Sequence, residues 1–308
     1  MKNNLKVSTN NEYGELKSVL LGTVKSMAWP SNDKEFDNGI ARSTFDGTLT
    51  KGALPPLVIE QANEDLNKFA VVMDKRGIDI IRPQTVGSHW AYSARDILLT
   101  IGEKVIECPT PFSSRAFELD LYPALHQADC KIIRAPKPQS GNDPMFDAAN
   151  VLKLNDKLLY SMSHSANEAG ADWLQEQVGT EYEVVKWKVV NYQTTHIDST
   201  LLSCGPNTVL INAARVDEDQ LPAFMKDYKK IWVEDIEVTP FMQFPYASKW
   251  IGMNVLSLDP ETIVVDEIQV GLIERLKSEK FNVVTLPMRQ SRTLGGGFHC
   301  VTCDVQRL

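Results

Sequence analysis

The stretch "DILLTIGEKVIEC" (Asp96–Cys108) is two apolar, β-rich runs divided by Gly102-Glu103. Such a run, broken once by turn residues, is the signature of a β-hairpin. The same design recurs in "NVLKLNDKLLYS" (Asn150–Ser161), "TLLSCGPNTVLIN" (Thr200–Asn212) and "NVLSLDPETIVVD" (Asn254–Asp266). Their turns, at Gly102, Asn155, Gly205 and Asp259, follow one another at intervals of 53, 50 and 54 residues. Regular spacing of that size marks repeated modules.

Between the hairpins lie segments with helical spacing, each followed by a short extended run. "VIEQANEDLNKFAVVMDKRG" (58–77) precedes "IDIIRP", with Leu66, Phe69, Ala70 and Met73 on one face. "SSRAFELDLYPALHQADC" (113–130), where Pro123 interrupts, precedes "KIIRAP". "ANEAGADWLQEQVG", "EDQLPAFMKDY" and "EIQVGLIERLKSEK" stand in the same place in the later modules. "ELKSVLLGT" (Glu15–Thr23) and "FHCVTCDVQ" (Phe298–Gln306) would pair as the fifth hairpin, so the two ends close a ring of five β-β-α-β units. Closure leaves few bare sheet edges. On pattern alone a generic α/β sandwich stays open. Two segments fall outside the module: Met27–Pro56, long, polar and rich in Gly and Pro, which has the character of a lid, and the aromatic loop Thr239–Trp250. No linker divides the chain, so a single domain over residues 1–308 is expected.

A net charge of −8 argues against a nucleic-acid partner. The chain has no apolar run long enough for a membrane helix, and its polar N-terminus is unlike a signal peptide. Five scattered cysteines are unlike a disulfide framework. A cytoplasmic protein is the expectation.

Asp96, Asp147 and Asp198 each stand at or just before the first strand of their module, 51 residues apart each time. Equivalent positions around an axis would converge. His196 lies two residues before Asp198, on the same face of an extended segment. His89, His126 and His164 lack such company and read as structural. In "SRTLGGGFHCVTCD" (Ser291–Asp304), Cys300 and Cys303 are spaced poorly for zinc on a strand, and too few residues follow for a thioredoxin-type helix. The glycines match neither phosphate-loop pattern. One reactive thiol remains, delivered by a glycine run that permits close approach. A guanidinium held by the aspartates would supply the positive charge that ionises it, and His196 would protonate the departing amine.

"RDILLTIG", "FDAANV", "HIDSTLL", "SKWIGMNVLSLD" and "LGGGFHCVTCDV" together resemble the glycine amidinotransferases and their relatives, from about Tyr13 to Leu308. The resemblance implies the five-bladed α/β propeller, or pentein fold. It implies Cys300 as the nucleophile that takes the amidino group, His196 as acid and base, and Asp147 as the carboxylate partner of His196. Asp96 and Asp198 would grip the guanidino group, Arg215 the amino-acid carboxylate, and Ser248 would lie near the reacting groups. L-arginine would be donor, L-ornithine the first product and a primary amine the acceptor, without metal or organic cofactor; a homodimer is favoured. Departures bear on the acceptor. Thr195 replaces the methionine of glycine-accepting members, and Gln139–Met145 is short where they carry a long insertion. Asn150 replaces an aspartate and is expected to stand clear of the chemistry. No mitochondrial presequence is visible. The acceptor is thus expected to differ from glycine, in the making of a guanidino natural product. The alternatives are a glycine amidinotransferase proper, a hydrolase like arginine deiminase or dimethylarginine hydrolase, and a propeller without catalysis.

Overall fold

A computed structural model of the chain describes residues 5–25, 27–41, 51–84, 90–189 and 195–308. All four quoted hairpins form antiparallel pairs: Leu98–Ile101 with Lys104–Glu107, Val151–Leu154 with Lys157–Ser161, Leu201–Gly205 with Thr208–Asn212, and Leu256–Asp259 with Thr262–Asp266. Three of their turns use a left-handed residue, Gly102, Asn155 or Asn207, with φ of 54°, 64° and 47°. Glycine and asparagine adopt that conformation at the least steric cost.

The extended run after each connection adds a parallel third strand. These strands are Lys131–Arg134, Glu183–Trp187, Lys229–Val233 and Asn282–Leu286. The fifth sheet joins the chain ends: Leu16–Leu21 runs antiparallel to Thr302–Arg307 and parallel to Asp79–Ile81. Among the described residues there are thus five three-stranded sheets, and a small two-stranded one formed by Ala28–Trp29 and Gly52–Ala53. The architecture is mixed α/β.

Three connections carry the expected helices, Pro56–Asp74, Glu168–Val178 and Val270–Ser278. In the first, Val58, Ala62, Leu66, Phe69 and Met73 are buried at helical spacing, while Ala70 packs at the edge of the same core. The other two differ from expectation. "EDQLPAFMKDY" forms only two 3₁₀ turns, Glu218–Gln220 and Ala223–Met225, and residues 113–126 form two 3₁₀ turns and the four-residue helix Pro123–His126. Proline has no N–H to give and is tolerated only at a helix start, so Pro123 and Pro222 each begin a new turn instead of extending one.

Neighbouring sheets touch through the first strands of their hairpins and through Thr302–Arg307 of the closing sheet. Thr100 Oγ1 donates to Asp304 O at 2.5 Å, Arg307 Nη2 to Ser257 O at 2.9 Å, and Ser257 Oγ to Cys204 O at 3.4 Å. A buried ionic cluster lies on this seam. Asp304 meets Arg95 Nη2 and Arg307 Nε, both at 2.9 Å, and Lys153 Nζ at 3.5 Å. Glu12 meets Arg95 Nη1 at 2.9 Å and Lys153 Nζ at 3.7 Å. Charges this deep persist only when paired and hydrogen-bonded.

Of Met27–Pro56, residues 42–50 lie outside the described residues. The described part carries the helix Lys34–Ala41 and is fastened by Asp33, whose Oδ2 accepts from Ser114 N and Oγ at 2.8 and 2.7 Å. Trp29 stacks on Tyr246 of the 239–250 loop, ring centres 3.8 Å apart, and Phe36 lies 5.8 Å from Trp90. The two segments that break the repeat therefore meet over the same place.

Candidate active site

That place is a cleft above the C-terminal glycine run. The short helix Ser291–Leu294 ends at Gly295, which is left-handed with φ 80°. The chain then turns so tightly that a Cβ on Gly297 would come within 2.7 Å of Asn254 Cβ, and one on Gly296 within 3.0 Å of Cys300 Cβ. This closeness lets Asn254 Oδ1 accept from both Gly297 N (3.1 Å) and Cys300 N (2.9 Å), while Asn254 Nδ2 donates to Asp198 O at 3.2 Å. Gly297→Ala is accordingly expected to cost about 1–3 kcal/mol through overpacking. It should also lower activity by about 10²-fold by moving Cys300. A thermal melt beside a turnover assay checks both.

Cys300 is buried, and its Sγ donates to Asp198 Oδ2 at 3.1 Å. Burial first, then the Asp198 and Asp96 carboxylates, push its thiol well above the usual range. The resting thiol is therefore protonated, and only a cation brought into the cleft reverses that balance. The strand expected over "CVTCDV" begins later, at Thr302, so Cys300 lies in the turn before it. Cys303 points elsewhere, its Sγ 3.2 Å from Leu98 O in an apolar cluster.

His196 is also at the cleft, its Nε2 2.9 Å from Asp147 Oδ2 and its Nδ1 3.7 Å from Asp96 Oδ1. Burial would lower its proton affinity, but Asp96 and Asp147 outweigh burial and push it up to about 9. It is an imidazolium at neutral pH, able to donate. Asp147 is fully buried, with its second oxygen accepting from Thr110 Oγ1 at 2.6 Å. Of the three in-phase aspartates, two reach the cleft and Asp147 turns to the histidine instead.

Asp96 Oδ2 accepts from Arg115 Nη1 at 2.9 Å, whereas the buried Oδ1 accepts no hydrogen bond among the described residues. Burial raises Asp96 despite His196 and Arg115. Asp198 is held below the carboxylate range: burial works against this, and hydrogen bonding to His299 overcomes it. A buried acceptor without a partner is costly unless a ligand N–H completes it.

Arg215 lines the opposite side. Its Nη1 donates to Ser199 O, Ser199 Oγ and Thr200 Oγ1 at 3.0, 2.9 and 2.8 Å, and its Nη2 to Ser248 Oγ at 2.9 Å. Thr195 lines the cleft too, its carbonyl accepting from Ser163 and Ser165 hydroxyls at 3.0 and 3.1 Å. Asn150 is bonded to the same two serines and is fully buried, one step removed from the cleft. Phe36, Trp90, Phe112 and Tyr246 form the aromatic wall. His126 and His164 do not line the cleft, and His89 lies outside the described residues.

The sequence reading passed over Asn254, Arg115 and His299. A signal for Asn254 was present: it stands two residues before its strand, as Asp96 and Cys300 do before theirs. Arg115 belongs to no repeat, and nothing in its sequence neighbourhood marks it.

No family model matches the chain. Inosamine-phosphate amidinotransferase 1 of Streptomyces griseus is 34% identical over 338 aligned positions, covering 98% of this chain and 97% of the relative. A solved inosamine-phosphate amidinotransferase from that organism superposes with a TM-score of 0.89 at 33% identity, over 98% of this chain and 97% of that one. An amidinotransferase of Microseira wollei from saxitoxin biosynthesis gives a TM-score of 0.88 at 28% identity, with 98% and 97% covered. The L-arginine:L-lysine amidinotransferase of Pseudomonas savastanoi pv. phaseolicola is 28% identical over 81% of this chain and 79% of its own. With its cleft built around a buried thiol, a protonated histidine and two carboxylates, and with likeness of this extent, the chain belongs to the amidinotransferase family and is a transferase.

Proposed function

We propose that the chain moves the amidino group of L-arginine to a primary amine through a covalent intermediate on Cys300. The supporting observation is the buried Asp96 Oδ1, which accepts no hydrogen bond among the described residues and has only the His196 ring at 3.7 Å, in the same cleft as the Cys300–Asp198 contact of 3.1 Å and the His196–Asp147 pair. A guanidinium seated between Asp96 and Asp198 completes that acceptor and brings the positive charge the thiol needs. Cys300 sulfur bonds to the guanidino carbon, and the carbon–nitrogen bond to the ornithine side chain breaks. His196 gives its proton to that nitrogen and is recharged by the thiol proton, so ornithine leaves as an amine. The amidinium charge stays on the sulfur adduct. An acceptor amine then attacks the same carbon; His196 gives its proton to the departing Cys300 sulfur and takes one from the amine, so the thiol is released and His196 is charged again. Arg215 holds the arginine carboxylate through its planar fork, with Ser248 fixing that fork. No step calls for a metal or an organic cofactor.

The acceptor is larger than glycine. The aromatic wall of the cleft favours a bulkier amine, and so does Thr195 at its lining. Relatives named for inosamine phosphate and for lysine take amines of that size, and the saxitoxin relative supports a product in guanidino natural-product chemistry. The five sheets are read as blades of one pentein propeller spanning residues 1–308, supported by the hydrogen bonds that pass between first strands.

Incubation with arginine, with and without a mixture of primary amines, tests the reading. Ornithine formed only when amine is present, together with a new guanidino product, is the expected outcome. Citrulline formed without amine would make the protein a hydrolase.

A further inference from the structure

His299, the residue before Cys300, has both ring nitrogens on carboxylates: Nδ1 lies 2.9 Å from Asp198 Oδ2 and Nε2 3.2 Å from Glu12 Oε2. A neutral imidazole donates from one nitrogen only. Two carboxylate partners therefore call for two N–H groups, unless one carboxylate is protonated. The surroundings oppose that exception. Glu12 Oε2 also accepts from Arg95 Nη1 at 2.9 Å, and Lys153 Nζ lies 3.7 Å from Oε1. Although burial works to raise Glu12, Lys153 and Arg95 hold it down at about 2. Arg95 also fixes the histidine backbone, its Nε donating to His299 O at 2.9 Å, and binds Asp304 behind it. Asp198 Oδ2 is the atom shared between His299 and the Cys300 thiol.

We propose that His299 is a positioning residue of the site, a doubly protonated imidazolium clamped between Glu12 and Asp198 that sets the pH at which Cys300 becomes nucleophilic. It does so through Asp198. The thiol faces two carboxylates, Asp198 and Asp96, and the phenol of Tyr92, the imidazolium of His196 and the guanidinium groups of Arg115 and Arg215 also surround this centre. A fixed cation on the same Asp198 oxygen offsets part of the repulsion a new thiolate would meet there. It also pins Oδ2, so that Asp198 keeps one orientation while substrate enters and leaves. The N-terminal segment carrying Glu12 thereby becomes part of the catalytic electrostatics. This inference rests on Cys300 being the nucleophile, as proposed above.

The test follows the reaction of Cys300 with 2-chloroacetamidine, in which sulfur displaces chloride and the thiol proton passes to solvent. The reagent is a small cation, so it measures thiolate formation with positive charge in the cleft and needs no turnover. His299→Asn keeps an amide donor near Asp198 but carries no charge. Its inactivation midpoint is expected to move up by about one pH unit or more, slowing reaction at neutral pH about tenfold, with the melting curve retained. An unshifted midpoint in the folded variant overturns the proposal. In the wild-type protein at neutral pH, ¹⁵N-histidine spectra should show both His299 nitrogens carrying protons, as its two carboxylate partners require. A neutral tautomer there overturns it as well, whether or not the variant folds. Failure of Cys300 to react at all would count instead against its role as nucleophile.

Discussion

Cys300→Ala is expected to lower amidino transfer by at least about 10⁴-fold, because on the proposed route it removes the covalent nucleophile and leaves only binding and electrostatics. The folded state should survive, since the backbone N–H of residue 300 still reaches Asn254 Oδ1. Cys303→Ala is the internal control. That thiol lies against Leu98 O in an apolar cluster, outside the cleft lining. Its loss should leave turnover within about twofold and affect stability alone. Steady-state rates for the two variants, with matched thermal melts, separate the two cysteines. Equal loss of activity in both would mean that the geometry of the turn before Thr302 has been misread.

The second large effect belongs to His196 and its partner. His196 is pushed up to about 9, against burial, by Asp96 and Asp147. The imidazolium that would protonate the leaving nitrogen on the proposed route is thus the resting form. The rate of the arginine half-reaction should hold below that value and fall as pH rises through about 9. Asp147→Asn removes the anion 2.9 Å from Nε2. The histidine then loses its proton more readily, so the falling limb moves to lower pH. Loss of its orienting partner should lower the rate by roughly 10²–10⁴-fold. A single-turnover pH profile of both proteins reads limb and magnitude together, and a falling limb that stays in place would remove Asp147 from this role.

The repeat was legible in the chain because a hairpin needs turn residues at its break, and those breaks recur. Even the sheet joining the termini follows from the short apolar runs at Leu16–Leu21 and Thr302–Arg307. The connections were less legible. Helical spacing in "EDQLPAFMKDY" is real, yet Pro222 cannot continue a turn, and local chemistry prevailed over periodicity. The candidate residues could be gathered from module phase and resemblance, but phase does not say which way a side chain turns. Asp147 shares its phase with Asp96 and Asp198 and still faces the histidine instead of the cleft. His299 was hidden by its neighbour. Its partners come from positions 12 and 198, a meeting that only the closed fold brings about.

The most direct test of the account is intact-protein mass spectrometry after brief exposure to L-arginine alone, followed by peptide mapping. One amidino group on Cys300, with one equivalent of ornithine released, is the predicted result. Protein recovered unmodified, with no ornithine formed and arginine bound, would contradict the covalent route through Cys300.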